Sequence, residues 1–443
     1  MPTEPMRWEE LLNRERFRPT KTVDGETRDE FERDYGRALY STPVRRLRDK
    51  AQVFPLEPHD SVRTRLAHSL EVSSVAEGLA VSAERLMPEL NSLPDREQRN
   101  IACIARTCGL IHDLGNPPFG HAGELAIATW FEDRLKRDRC FGGRFERELT
   151  KQHQEDLLAF EGNAQTLRLV CHLQLLTDQL GLNLTYGTLS AASKYLAASD
   201  TVRKDGPHQC RKPGYFASEQ QKVFAVREAT GSGDRRNPIA YLVEAADDIV
   251  YSTVDLEDGL KKKVLDWEEV EQCLNNTSLG RHVIEETHAR VDGKGLSGSS
   301  RKDAYAIVFR TVAISQMAPA AVDVFKKRYK MIMMGEYDGE LVTDAECTAK
   351  DLIETSKKQI LRASLYTDAS ILKLEVRGRA VIHGLMNLFW EAVEFADPSQ
   401  QPQTRDYAGK LFLLMSDNYR RVFQLRLEEG DQPELLYAPS TCR

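Results

Sequence analysis

Three stretches carry side chains able to hold a cation or move a proton. The first is Cys108-Gly109-Leu110-Ile111-His112-Asp113-Leu114-Gly115-Asn116-Pro117-Pro118-Phe119-Gly120-His121-Ala122-Gly123-Glu124, in which a His-Asp doublet closes an apolar run from Asn100 to Leu114. The second, Arg65-Leu66-Ala67-His68-Ser69-Leu70-Glu71-Val72, sets a histidine in an amphipathic segment, and the third, Glu244-Ala245-Ala246-Asp247-Asp248-Ile249-Val250-Tyr251, sets carboxylates among apolar neighbours. An imidazole and a carboxylate in such surroundings lose their hydration and need a partner, which a divalent metal would supply. A lone His-Asp doublet is more often an ordinary helix end. One histidine, then His-Asp, then a distant aspartate, each on an apolar helix, is the more informative pattern.

The elements that must position these groups read as helices. Asn100–Leu114 is stopped by Gly115 and the Pro117-Pro118 pair, and Arg65–Leu86 places Leu66, Leu70, Val72, Val75, Ala76 and Leu79 at helical spacing. Asn237-Pro238 is a helix start, with asparagine as cap and proline in the first turn. On that helix Asp247, Tyr251, Asp255 and Asp258 recur at spacings of four and three, which stacks them on one face. Ala245, Ala246, Ile249, Val250 and Val254 surround that face, so burial beside a cation suits it better than solvent. Asp247 is preferred to Asp248 because it alone lies four residues before Tyr251 and eight before Asp255. His121 and Glu124, three apart, share a face and can hydrogen-bond; the pair suits proton transfer, the plainer reading being a helix cap.

Elsewhere the pattern is less specific. Residues 1 to 27 are polar and read as a loosely held arm; 132 to 152, including Cys140-Phe141-Gly142-Gly143-Arg144, read as a mobile loop; Gly162 to Leu180 reads as a helix carrying Asn163, Gln165 and Arg168. Arg28 to Asp49 holds Arg28, Arg33, Arg37, Arg45, Arg46 and Arg48, which fit a solvated face or phosphate clamps. Between Gly187 and Gly233 the chain reads as irregular, with Lys194-Tyr195, Lys212-Pro213-Gly214-Tyr215-Phe216 and Lys222 interleaving cations and aromatics. No strand series and no repeat is evident.

With 443 residues, 41% hydrophobic and 29% charged, the chain can bury a large core in one to three domains. Its net charge of −7 excludes a general basic field for nucleic acid or membrane, though a local patch is compatible. The start lacks a cationic region followed by an apolar run, and no apolar stretch reads as a membrane span, so a cytoplasmic, membrane-free protein is expected. Eight cysteines without a CxxC pair read as reduced core thiols.

Six further elements stand in a familiar order: Phe31-Glu32-Arg33-Asp34-Tyr35, Arg45-Arg46-Leu47, Asp49-Lys50-Ala51-Gln52-Val53-Phe54-Pro55-Leu56, Asn116-Pro117-Pro118-Phe119-Gly120-His121, Phe160-Glu161-Gly162-Asn163-Ala164-Gln165 and Asp255-Leu256-Glu257-Asp258-Gly259. Together with the histidines and aspartates they resemble the deoxyguanosine triphosphate triphosphohydrolases of the HD phosphohydrolase superfamily, densely over residues 28 to 262 and thinly in the C-terminal third. The resemblance implies an all-α fold, with an arm over 1–27, an HD-type metal phosphohydrolase core over 28–270, and C-terminal helices over 271–443 completing the substrate pocket and subunit contacts.

It further implies His68, His112, Asp113 and Asp247 as ligands of a divalent metal. Mn²⁺ or Mg²⁺ is expected, with Fe²⁺, Co²⁺ or Ni²⁺ also suited to mixed nitrogen and oxygen ligands. Attack at the α-phosphorus would release triphosphate whole, with His121 and Glu124 serving the proton transfer. Relatives with histidines at the positions of Asn116 and Gly162 differ from this chain, whose amides Asn116 and Asn163 bind phosphate or water but carry no proton. By the same resemblance Gln52 and Asp255 bond the 3′-hydroxyl and Tyr251 stacks on the sugar. Arg65, Lys194, Lys212 and Lys222 hold the triphosphate beside Tyr195, although each lysine alone fits a solubilising surface charge equally well. Met415-Ser416-Asp417-Asn418-Tyr419 resembles a closing element of the base pocket. The partners implied are a dNTP, dGTP first, further copies of the chain (a hexamer by resemblance), and single-stranded DNA as an effector. Two other readings remain open: a related hydrolase of nucleoside monophosphates or cyclic nucleotides, and a non-catalytic nucleotide- or DNA-binding oligomer.

Overall fold

The computed structural model describes residues 4–20, 25–55, 61–140, 149–174, 180–395 and 407–428. In chain order the helices that matter for the site are α1 (Trp8–Leu11), α2 (Glu30–Leu39), α3 (Arg65–Leu86), α4 (Asp95–Ile111), α5 (Gly120–Cys140), α6 (Gly162–Arg168), α7 (Tyr186–Ala192), α8 (Pro238–Lys261) and α9 (Gly298–Met334). They are followed by α10 (Lys350–Glu354), which runs into a π-helical stretch Thr355–Leu365, and by α11 (Ala369–Phe395). Two short strands, Ala197–Ala198 and Pro213–Tyr215, pair in parallel, so the fold is all-α in practice.

The core is built where α3, α4, α8 and α9 pack on one another. Thr64 caps α3 by accepting from the Ala67 N–H, and Val72, Ala76, Leu79 and Ala83 are buried along one side. α4 crosses α3 closely at Gly109, where a Cβ would stand 2.7 Å from the Ser73 Cα. That approach brings the His68 and His112 rings to 5.3 Å between centroids. α8 starts at the Asn237 cap, whose side chain accepts from the Ile239 N–H, and is buried along most of its length.

Several expectations are corrected. Residues 4–20 are not a loose arm: Met6, Trp8, Leu11 and Leu12 lie in the main core, Trp8 Nε1 donates to the Tyr329 hydroxyl (2.8 Å), and Arg16 pairs with buried Asp34 (2.6 Å). Apolar residues spaced within a polar segment carried that outcome. α5 continues through Cys140, so 132–140 are helical rather than a loop, and Lys151–Leu158 is helical as well; 141–148, which include most of Cys140–Arg144, lie outside the described residues. The helix from Gly162 ends at Leu173, after a π-helical turn, because Leu182 N–H turns back to the Val170 carbonyl (2.8 Å). The 187–233 segment holds α7's body and a helix Gln220–Ala229 rather than being irregular throughout.

By length and composition α9 is long and apolar enough to cross a membrane, contrary to the sequence reading. Its Phe309, Val312, Met317, Ala321 and Phe325 are buried in the core, which is the packing of a core helix. The six described cysteines are free thiols.

Glu84 of α3 is a carboxyl buried under this core. Burial raises it from 4.5 to about 7, outweighing the hydrogen bond it accepts from the Ala102 N–H (3.3 Å) and the nearby Arg85. Because the folded value lies above the unfolded one, stability is complete below pH 4.5 and falls as the pH rises through 7. Glu84→Gln keeps an acceptor for Ala102 without the charge. It is expected to raise unfolding free energy at pH 8 by about 1–3 kcal/mol and to leave it unchanged at pH 4. Denaturant titration at both pH values checks this, and equal stability at pH 8 refutes it.

Candidate active site

The start of α3, the end of α4 and the middle of α8 meet at a cavity of about 760 Å³. His112 caps α4 in helical geometry and the chain then turns sharply. Gly115 is required in that turn, since a Cβ there would stand 2.0 Å from the Gly162 carbonyl. Further on, Phe119 adopts φ +67°, a left-handed conformation disfavoured for a bulky side chain. Gly378 of α11 lies against it, where a Cβ would come 2.6 Å from its ring. The turn is thereby wedged between α6 and α11.

Ligand-capable atoms of His68, His112 and Asp247 lie within 4.8 Å of one another. Asp247 Oδ1 stands 3.1 Å from His68 Nε2 and 3.5 Å from His112 Nε2. His112 Nδ1 lies 2.7 Å from the Gly109 carbonyl, to which Nδ1–H donates, so it is Nε2 that faces the acid, buried and without a hydrogen-bond partner; a cation would take the place of any proton there. Burial opposes charge on Asp247, yet His112 and His68 beside it hold the carboxyl well below its usual range. For His112 burial lowers the value, but Asp113 and Asp247 outweigh it and raise the imidazole to about 9. An acid shared by two imidazoles, each with one buried nitrogen lacking a hydrogen-bond partner, is a donor set that fits a divalent first-row cation or Mg²⁺.

Asp113 stands apart from this trio. Its Oδ1 is 3.7 Å from His112 Nε2, and its oxygens accept from Arg65 Nη1 and Asn116 Nδ2. The structure thus brings three of the four expected ligands together and leaves the fourth engaged by a cation and an amide. Asp248 turns away to an ion pair with Lys357.

His121 lines the cavity with its imidazole 85% exposed, and its Nδ1 lies 2.7 Å from Glu124 Oε2. That hydrogen bond raises the His121 pKa. Glu124 sits behind it, its other oxygen accepting from the Gly162 N–H (2.9 Å). Gln52, Tyr251 and Asp255 share one wall. Burial raises Asp255 to about 7; one of its oxygens accepts from the Tyr366 hydroxyl (2.7 Å), and the other has no hydrogen-bond partner, like the Gln52 carbonyl. Arg65, Asn116, Asn163, Lys194, Tyr195 and Lys212 also line the cavity. Lys194 faces Glu244 at 3.2 Å and Lys212 faces Glu161 at 3.4 Å.

Other expected residues lie elsewhere. Lys222 faces a separate small cavity beside Leu167 and Arg227 and donates to the Cys171 carbonyl (2.6 Å). Asp258 is held by Arg63 at 2.6 Å, so the acidic face of α8 ends before it. Arg28 serves Glu26, Arg33 serves Glu30 and Arg37 the Leu182 carbonyl (3.2 Å), and none of the arginines of 28–48 lines the cavity. Met415 packs with Leu411, Phe412 and Phe423, away from the cavity. Sequence reasoning missed Lys357, Lys358, Arg362, Tyr366 and Glu375, which complete the wall from the C-terminal third. Only the paired Lys357-Lys358, in a mixed polar and apolar segment, gave a weak signal for them.

The HD domain family matches residues 65–172. The chain is 36% identical to a deoxyguanosinetriphosphate triphosphohydrolase-like protein of Listeria monocytogenes, over 98% of this chain and 94% of that one. It is 32% identical to a protein of the same description from Pseudomonas aeruginosa, covering 87% and 85%. A deoxyguanosinetriphosphate triphosphohydrolase of Klebsiella pneumoniae is 30% identical, covering 93% and 88%.

Proposed function

Given that the chain belongs to the deoxyguanosinetriphosphate triphosphohydrolase family, we propose that it hydrolyses deoxynucleoside triphosphates, dGTP first, to the deoxynucleoside and intact triphosphate with a divalent cation, Mn²⁺ or Mg²⁺. One observation carries the reading: the His68–His112–Asp247 trio opens into the same cavity as Arg65, Lys194 and Lys212. A phosphate ester centre and a cationic wall for a polyanion are thereby within one enclosure.

His68, His112 and Asp247 would hold the cation, with Asp113 joining on release from Arg65. When bound, it would supply positive charge for a phosphate oxygen and order a water for in-line attack. The chain's own residues do the rest. Arg65, with a buried Nε lacking a partner, and Lys194 and Lys212 bind the phosphates. Asp255 accepts from the 3′-hydroxyl with its unpartnered oxygen, the Gln52 amide bonds the same hydroxyl by donating its N–H, and Tyr251 closes on the sugar. His121, steadied by Glu124, moves the proton for the leaving 5′-oxygen or the attacking water. Assembly into a homo-oligomer and response to single-stranded DNA extend the proposal; sedimentation with and without an oligonucleotide tests both.

Incubation with dGTP and Mn²⁺ is expected to yield deoxyguanosine and triphosphate, resolved by anion-exchange chromatography. dGMP with pyrophosphate would refute the assignment. Replacing Lys194 and Lys212 together by alanine is expected to raise KM for dGTP by about 10- to 100-fold. Full turnover in that variant would favour a monophosphate or cyclic substrate.

A further inference from the structure

Resting on the proposed triphosphate site, the geometry points to Arg236 as a positioning residue: though outside the cavity wall, it neutralises Glu244 and so leaves the Lys194 charge free for a polyphosphate. Glu244 lies on α8 three residues before Asp247, with a side chain only 3% exposed. Its Oε2 accepts from Arg236 Nη1 at 2.7 Å, and the Arg236 side chain is 1% exposed. Arg236 is further fixed by the Ala240 carbonyl (3.3 Å) and by the Tyr241 ring, 4.3 Å from its guanidinium.

The other oxygen, Oε1, is 3.2 Å from Lys194 Nζ yet makes no hydrogen bond. Lys194 is therefore near Glu244 without its N–H groups being committed to it. His208 and Glu340 also lie close to Glu244 and face each other at 3.2 Å. Glu244 thus stands between two cations, and the outer one, Lys194, borders the cavity.

A Lys194–Glu244 pair alone would be neutral, and an incoming phosphate would have to compete with a buried acid for the ammonium. With Arg236 behind it, Glu244 is already balanced and the Lys194 ammonium is left to the substrate. The buried arginine contributes to affinity without touching the ligand.

Calorimetric titration of the full-length protein with inorganic triphosphate, at fixed salt and divalent ion, tests this. Arg236→Met is expected to weaken binding about tenfold, and Arg236→Lys to stay within about threefold of wild type. Glu244→Gln should bind at least as tightly as wild type. The Arg236→Met/Glu244→Gln double variant, which buries neither charge, should return to within about threefold. A merely structural role for Arg236 would leave the double variant as weak as the single one. Unchanged affinity in Arg236→Met, a weak double variant, or weaker binding by Glu244→Gln overturns the inference alone. If Arg236→Met does not fold, the double variant and Glu244→Gln decide it. Wild-type protein that binds no triphosphate overturns the underlying reading and this inference together.

Discussion

Asp247→Asn is expected to cut dGTP turnover by at least ~10³-fold and to weaken divalent-cation binding by about 10- to 100-fold. The carboxylate is common to both imidazoles, 3.1 Å from one and 3.5 Å from the other. An amide keeps the size and one acceptor but removes the charge that opposes a dication. The fold should survive, because Asp247 makes its contacts at the cavity rather than in the apolar core. Metal content of the purified variant, its melting temperature and its turnover separate these outcomes. A stable Asn variant that retains its cation and its rate would dissolve the proposed centre. Asp248→Asn serves as the contrast: its partner is Lys357, so cation content should be unaffected.

The second large effect is expected from His121→Ala, a fall in kcat of about 10²- to 10⁴-fold with cation content and KM for dGTP near wild type. Such a split follows from where the imidazole stands, open to the cavity and anchored on Glu124 rather than on the metal trio. Glu124→Gln should be milder, since the amide oxygen can still accept from the Gly162 N–H. It also predicts a direction in pH. Glu124 raises the His121 pKa, so losing its charge should move the His121 limb of the kcat profile to lower pH. A profile that stays in place, or undiminished hydrolysis by His121→Ala, would remove His121 from the chemistry.

The metal trio was legible because each member interrupts an apolar helical period, an anomaly that a single sequence displays. Spacing of four from Tyr251 and eight from Asp255 separated Asp247 from Asp248. It failed at Asp258, also acidic within the same helix, because its counter-charge comes from Arg63, 195 residues away in the chain. Nothing local announces such a partner. Lys222 and the arginines of 28–48 failed for the converse reason: a cation in sequence looks the same whether it meets a phosphate or, as here, a backbone carbonyl and nearby glutamates. Tyr366 escaped because its value lies in meeting Asp255 across 111 residues, from a π-helical stretch whose altered period blurs the amphipathic pattern.

Trp8 and Tyr329 are 321 positions apart, and the Met6 N–H reaches the Met333 carbonyl at 2.9 Å. A nascent chain emerging at about 5–20 residues per second therefore leaves Met6 and Trp8 without these partners for roughly 15–60 s while that part of their seat is still being translated. Tags or fusions placed before them sit beside a segment whose docking waits for Tyr329 and Met333, and that interval is when a chaperone would find it.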